Sequence, residues 1–286
     1  MEFLQVDVFA EVPYEGNPLA VFPDAAGLSK LQMQSIAREM NLSETAFVTA
    51  VRRDEYEVRI FTPYEELPFA GHPTIGTAWV LREIGLIGGG EIIQRSAAGA
   101  TKVHALNDEM WFERQGRAEI DLEDRDPEGV APIAEALGVD PGRVGLEARE
   151  LGRPGRLRPA FSDAGIRQLM VPLSDLAILE ACRPRSELLG ALTAAGVYCF
   201  TAVQAGRLRA RGFFPSIGIE EDPATGSAAA ALGLLLAARL GPIQLEIQQG
   251  VEIGRPSRIV LDAQPGTVRV GGRCQLAATG RLERLP

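Results

Sequence analysis

Apolar and polar positions alternate along much of this chain, and two long stretches break the alternation. Residues 3–9, 19–22, 46–51 and 56–61 read as strands, the last two forming a hairpin around Arg53-Asp54. Between them Ser29, with Gln32 three residues on, is a capping box that predicts a helix to about Met40. The first break is GHPTIGTAWVL, residues 71–81, where the spacing predicts a buried helix over about 73–83, stopped by Gly85. The second is EEDPATGSAAAALGLLL, residues 220–236, in which the run 228–238 carries no charge on any face. A helix apolar all round is buried on all sides, and this one falls short of the roughly 20 residues that a bilayer needs. Each is read as a central helix wrapped by sheet, its N-terminal amides and dipole open to an anion.

The two breaks resemble each other. His72-Pro73-Thr74-Ile75-Gly76-Thr77-Ala78 can be set on Asp222-Pro223-Ala224-Thr225-Gly226-Ser227-Ala228 at an offset of 150. Upstream, Thr49-Ala50-Val51 matches Thr201-Ala202-Val203, and Arg59, Phe61 and Pro63 match Arg211, Phe213 and Pro215, at an offset of 152. This predicts a duplicated chain, each half giving strands, a turn and a buried helix, with the two helix starts facing one cleft. His72 and Asp222 then stand at equivalent places.

Further strands are predicted near 91–95, 101–106 and 110–112, completing a first sheet, then near 168–171, 197–214 (a hairpin), 244–247, 258–261 and 267–270. A helix is expected over about 186–195, a short one over 133–137, and a surface loop over 151–159. The Asp-, Glu- and Pro-rich stretch 121–132 is the expected connection between domains 1–120 and 121–273, with a last strand over about 274–286 returning to the first sheet.

Composition narrows the function. The chain has 286 residues, 46% of them hydrophobic, and a net charge of −9 with no Lys/Arg-rich stripe, which argues against a nucleic-acid surface. Mean hydropathy near zero and a strand-like N-terminus without a signal-peptide pattern suit a cytoplasmic protein with no membrane segment. Cys182, Cys199 and Cys274 are scattered, with neither a disulfide framework nor a zinc spacing, and read as small buried hydrophobes. His104 lies in a strand-like run and reads as structural. His72 at a helix start reads as a local cap or as a proton-handling group. Asp222 reads as a helix N-cap or a site residue. Glu44 sits where a polar connection feeds a strand; its counterpart at offset 152 is Gly196. A lone acid–base group suits a reaction in which a proton leaves and returns on one face, whereas a two-base racemisation needs one group per face. Phe213, Tyr64 and Trp79 read as core residues, with pocket lining as the alternative.

Taken together, MNLSETAFV, FAGHPTIGTA and EEDPATGSAAAAL resemble the signature stretches of the PhzF family, the phenazine-biosynthesis-like isomerases. Residues 16–22, Gln249-Gly250 and Gly254-Arg255-Pro256-Ser257 extend the resemblance over essentially the whole chain. It implies the diaminopimelate-epimerase-like fold: two pseudo-symmetric α/β (α+β) domains, each a curled mixed sheet around a buried central helix, with the active site between them. It implies a cofactor-free isomerase without a metal, usually a homodimer, acting on a small carboxylic acid; in PhzF itself this is trans-2,3-dihydro-3-hydroxyanthranilate. The family's catalytic glutamate falls on Glu44, its site histidine on His72 and its aspartate on Asp222. Its substrate-holding residues fall on Gly71, Gly226 and Ser227. Epimerase relatives on this fold place a cysteine before each helix start; here those turns hold none.

The expected mechanism docks the substrate carboxylate at the two helix N-termini, through Gly71–His72 and Gly226–Ser227. Glu44, its pKa raised toward neutrality by burial, removes a proton beside an unsaturated system and returns it elsewhere on the same face. His72 and Asp222 orient polar groups or hold the proton. The rival expectation is a carboxylate-binding protein that uses the same residues without turnover.

Overall fold

The computed structural model describes residues 1–118, 127–193 and 195–286. The chain divides into two compact units, Met1–Glu113 with Val270–Pro286, and Arg114–Arg269. The boundary expected at 120/121, and the 121–126 part of the expected connection, lie outside the described residues.

The first unit is built from β1 (Glu2–Val8), β2 (Asn17–Phe22), α1 (Lys30–Met40), β3 (Glu44–Arg52), β4 (Glu55–Phe61), β5 (Glu66–Leu67), α2 (Gly71–Glu83), β6 (Ile92–Ser96), β7 (Gly99–Leu106) and β8 (Glu109–Gln115). The C-terminal strand Cys274–Arg281 pairs with β1. The sheet then runs β1, β2, β3, β4, β6, β7, β8, antiparallel except at β2/β3 and β4/β6, with β5 flanking β4. It wraps α2, which packs on β1, β2, β3 and β7 and buries every residue from Gly71 to Ala78. Gly76 lets the helix approach the sheet: a Cβ there would lie 2.6 Å from Leu19 Cδ2. Ser29 caps α1 reciprocally with Gln32, as the capping box predicts.

The second unit comprises β9 (Arg117–Ala118), α3 (Pro127–Leu137), β10 (Leu146–Glu147), β11 (Arg156–Leu157), β12 (Ala160–Asp163), β13 (Arg167–Pro172), α4 (Leu176–Ala181), α5 (Ser186–Leu192), β14 (Val197–Gln204), β15 (Arg207–Phe214), β16 (Ile219–Asp222), α6 (Gly226–Leu240), β17 (Ile243–Gln249), β18 (Ser257–Gln264) and β19 (Thr267–Gly272). The C-terminal strand is therefore β20. The order β9, β12, β13, β14, β15, β17, β18, parallel at β13/β14 and β15/β17, repeats that of the first unit from its C-terminal strand through β1 to β7. α6 takes the place of α2, packed on β12, β13, β17 and β18 with all but a few residues buried.

The repeat reaches side chains. Arg59 forks onto Glu66 with contacts of 2.7 and 2.9 Å and lies 5.3 Å over the Phe61 ring. Arg211 forks onto Glu221 at 2.9 and 2.7 Å and lies 5.0 Å over Phe213. Bidentate geometry of this kind locks β5 to β4 and β16 to β15, the strands that lead into the buried helices.

Several expectations are corrected. The helix expected over 133–137 begins at Pro127, and the one expected over 186–195 ends at Leu192, Ala194 lying outside the described residues. β12 and α4 were not expected; α4 is a short helix that Asp175 caps by accepting from the Ile178 amide. The loop expected over 151–159 contains β11, paired with β10. Phe213 is core, but Tyr64 is 70% exposed, because the Thr62 hydroxyl accepts from the Tyr64 and Glu65 amides and turns the chain outward. All three cysteines are buried. No helix among the described residues is long and apolar enough to cross a membrane.

Candidate active site

The strongest correction concerns the helix starts. Strand register keeps the offset of 152 through β3/β4 and β14/β15, where Thr45 faces Phe61 and Val197 faces Phe213. Beyond them the loops differ, and α2 starts at Gly71 while α6 starts at Gly226, an offset of 155 (226 − 71). Gly71-His72 therefore corresponds to Gly226-Ser227, and His72 does not correspond to Asp222. Asp222 is not a helix N-cap either. It is the last residue of β16, opposite Gly212 on β15, and the residue before α6 is Thr225, whose side chain makes no capping bond. Short motifs with the same Pro, Gly and hydroxyl residues can be slid against each other; only the strand pairing fixes which residue follows the last β bridge.

In the first unit Glu44 opens β3 and His72 is the second residue of α2. Both are buried, at 8% and 3% exposure, and His72 Nδ1 lies 3.5 Å from Glu44 Oε2. A carboxylate at a strand end is ordinarily solvated; here parallel pairing of Glu44 with Leu19 on β2 draws it inside, beside the helix start. Gly71 and His72 present main-chain amides without intrahelical partners, as the first residues of any helix must. The His72 Nε2 atom is buried with no hydrogen-bond partner among the described residues. Such an atom is a place where a ligand is expected to complete the bonding.

Burial pulls the His72 imidazole down to about 3, against an opposing hydrogen bond to the Pro18 carbonyl. The ring is neutral at physiological pH, so beside Glu44 it can donate or accept a hydrogen bond but carries no positive charge. The sign of the linkage follows. Below the unfolded value, roughly 6.5, the unfolded chain takes up a proton that the folded chain refuses until about pH 3. The stability this group contributes is intact above that unfolded value and is lost as pH falls through the window. Urea denaturation is expected to show the wild type losing about 1 kcal/mol more than His72→Asn between roughly pH 6.5 and 5.5. Equal slopes in the two proteins would mean that His72 titrates normally.

In the second unit Asp222, Thr225, Gly226, Ser227 and Gln249 cluster at the start of α6. The Thr225 hydroxyl donates to Asp222 Oδ2 at 2.6 Å. Gln249, fully buried, donates from Nε2 to the Asp222 carbonyl at 2.8 Å and to Thr225 Oγ1 at 3.0 Å. The Ser257 hydroxyl donates to the Pro223 carbonyl at 2.7 Å and steadies the turn. Gly250, at φ +76°, is required there: a Cβ would lie 2.5 Å from the Pro223 oxygen. Tyr198 is buried beneath, its hydroxyl held well above the ordinary tyrosine value by burial and by the nearby Asp222 charge. Gln249 and Ser257 were visible in the sequence as motif residues without a role; Thr225 was visible only inside the helix-start motif.

The second unit carries no counterpart of Glu44. Register places Gly196 there, at φ +98°, and a Cβ on it would lie 2.1 Å from Phe214 Cδ1 and 2.8 Å from the Phe213 oxygen. The space is occupied by an aromatic ring, so the asymmetry is built into the packing.

Residues 6–280 match the PhzC-PhzF family, described as phenazine biosynthesis-like protein. The trans-2,3-dihydro-3-hydroxyanthranilate isomerase of Pseudomonas chlororaphis is 41% identical, over 92% of this chain and 90% of that protein. The crystal structure of a PhzF-family phenazine biosynthesis protein from Bacillus anthracis superposes with a TM-score of 0.83 at 23% identity, covering 99% of both chains. A hydroxyproline epimerase from Agrobacterium vitis superposes with a TM-score of 0.64 at 13% identity, over 98% of this chain and 91% of that one. These two structural likenesses carry the fold alone: the mixed α+β, epimerase-like architecture.

Proposed function

The chain belongs to the PhzC-PhzF family of phenazine biosynthesis-like proteins and is an isomerase, and we propose that it moves a proton on a small unsaturated carboxylic acid with Glu44 as its single acid–base group. In this reading the clusters of the two units act on one substrate. The amides of Gly71–His72 and Gly226–Ser227 bind the substrate carboxylate, where helix dipoles and unpaired N–H groups favour an anion. Glu44 takes a proton from a carbon activated by the adjacent unsaturation and returns it to another carbon on the same face. Neutral His72 donates or accepts through Nε2, and Asp222 accepts from an amine or hydroxyl of the substrate. No cofactor takes part. A homodimer belongs to the same reading, and light scattering on the 30.7 kDa chain tests it.

One observation carries the proposal: a buried carboxylate at the head of β3 beside His72, against a glycine with no room for any side chain at the corresponding place in the second unit. Two-base chemistry needs a proton-handling group on each face, and this pattern supplies one. The first substrate to test is trans-2,3-dihydro-3-hydroxyanthranilate, named for the Pseudomonas chlororaphis relative, within a panel of small unsaturated amino and hydroxy acids. In heavy water the enzyme is expected to place deuterium at one carbon of the isomerised product, seen by proton NMR. Binding of these acids without exchange or isomerisation favours a carboxylate-binding protein and overturns the enzymatic reading.

A further inference from the structure

We propose that Thr225 and Gln249 are positioning residues: the chain Tyr198–Gln249–Thr225, whose first two members are fully buried and whose last is half-buried, fixes the direction of the Thr225 hydroxyl and so holds Asp222 as an oriented hydrogen-bond acceptor. The inference rests on the role given to Asp222 above.

The direction of every bond in the chain is determined. Gln249 Oε1 accepts from the Tyr198 hydroxyl at 2.8 Å and from the Thr225 amide at 3.1 Å. Gln249 Nε2 faces the Asp222 carbonyl at 2.8 Å, which can only accept. Flipping the amide would set donor against donor and acceptor against acceptor, so its orientation is fixed by two main-chain groups. The same Nε2 donates to Thr225 Oγ1, and the remaining hydroxyl proton points to Asp222 Oδ2 at 2.6 Å. Asp222 Oδ2 is then committed as an acceptor, and the carboxylate plane is set from a fully buried anchor.

Two further observations separate this from an ordinary structural brace. The Thr225 hydroxyl does not cap α6, although it stands at the capping position. Gly212 leaves room for it, since a Cβ there would lie 3.1 Å from Thr225 Oγ1. The first unit also holds a Tyr–Gln–Thr chain, with its glutamine on the corresponding strand, β6, and its tyrosine on a different one, β4: Tyr56 donates to Gln94 at 2.9 Å, Gln94 to Thr74 at 2.9 Å, and Thr74 to the Ala70 carbonyl at 2.8 Å. That chain ends on backbone and only holds α2. In the second unit the final acceptor is the Asp222 carboxylate, a candidate site group.

The test uses the full-length protein and the pair Thr225→Val and Thr225→Ser, with trans-2,3-dihydro-3-hydroxyanthranilate as probe. Valine keeps the shape and removes the hydroxyl; serine keeps the hydroxyl. A hydrogen bond to a charged group sets the scale, so kcat is expected to fall about tenfold to a hundredfold in Thr225→Val. KM should change far less, and Thr225→Ser should recover most of the loss. Equal losses in both variants, or none in either, overturn the inference. Nitrogen-15 NMR judges the chain without turnover. The Gln249 side-chain amide is expected to exchange slowly with solvent, to shift in Thr225→Val and to return in Thr225→Ser. Rapid exchange in the wild type overturns the inference whatever the activity. Should wild type and Glu44→Gln be equally inert on the probe while the amide signature holds, the proton-transfer reading has failed for that acid and the positioning chain stands.

Discussion

Glu44→Gln is expected to lower turnover by roughly a hundredfold or more, the usual cost of losing a general base, while ligand binding survives. Glutamine keeps the size of the side chain and its place at the head of β3, next to His72 Nδ1. What it loses is the ability to take a proton and give it back. The substrate carboxylate is assigned to the helix amides, so its affinity should hold or rise, because a negative charge has been removed from a buried site. The split is therefore a large fall in kcat with little change in the dissociation constant, read by steady-state kinetics and calorimetry on the same acid. Folding should not suffer, since the change removes a buried carboxyl and leaves no cavity. A variant that isomerises at the wild-type rate removes Glu44 from the scheme.

Gly196→Ala is expected to destabilise the protein by about 2–4 kcal/mol through overpacking and left-handed strain together. The backbone sits at φ +98°, and the added methyl would lie 2.1 Å from Phe214 Cδ1 and 2.8 Å from the Phe213 carbonyl oxygen. The ring can shift; the oxygen belongs to β15, where Phe213 pairs with Val197, and moves only if the hairpin opens. Denaturant midpoints for Gly196→Ala, Phe214→Ala and the double variant separate the two costs. In the double variant the ring clash disappears and the carbonyl contact and strain remain. A Gly196→Ala protein as stable as the wild type would mean that the second unit has room for a counterpart of Glu44, and the one-base argument would lose its basis.

Much of this molecule was legible in its sequence, and the failures share a cause. Strands such as β18, whose burial alternates, the Ser29–Gln32 box and the two buried, largely apolar helices are local signals, and each is found near its expected place. Glu44, His72 and Asp222 stood out by residue type and motif. The relation between the halves was misread at the helix starts, because a pairing of HPTIGTA with DPATGSA satisfies composition as well as the true one. Nothing local says that β16 continues to Asp222 before α6 begins; that depends on Gly212 across the ladder. β12 and α4 escaped for a similar reason, being too short to declare themselves without the partners that hold them. Tyr64 looked like core and faces solvent because a threonine turn three-dimensionally redirects the chain.

The sequence alone determined what needs only neighbours along the chain: where most of the longer strands and both buried helices fall, that the pattern occurs twice, and which residue types capable of acid–base chemistry stand beside the helix starts. The tertiary structure decided what needs partners far along the chain. It buried Glu44 beside a histidine made neutral by desolvation. It closed the matching position with the Phe214 ring and tied Asp222 through Thr225 to Gln249. Burial, ionisation and hydrogen-bond direction are properties of an environment, and residues distant in sequence supply that environment only once the sheets have formed.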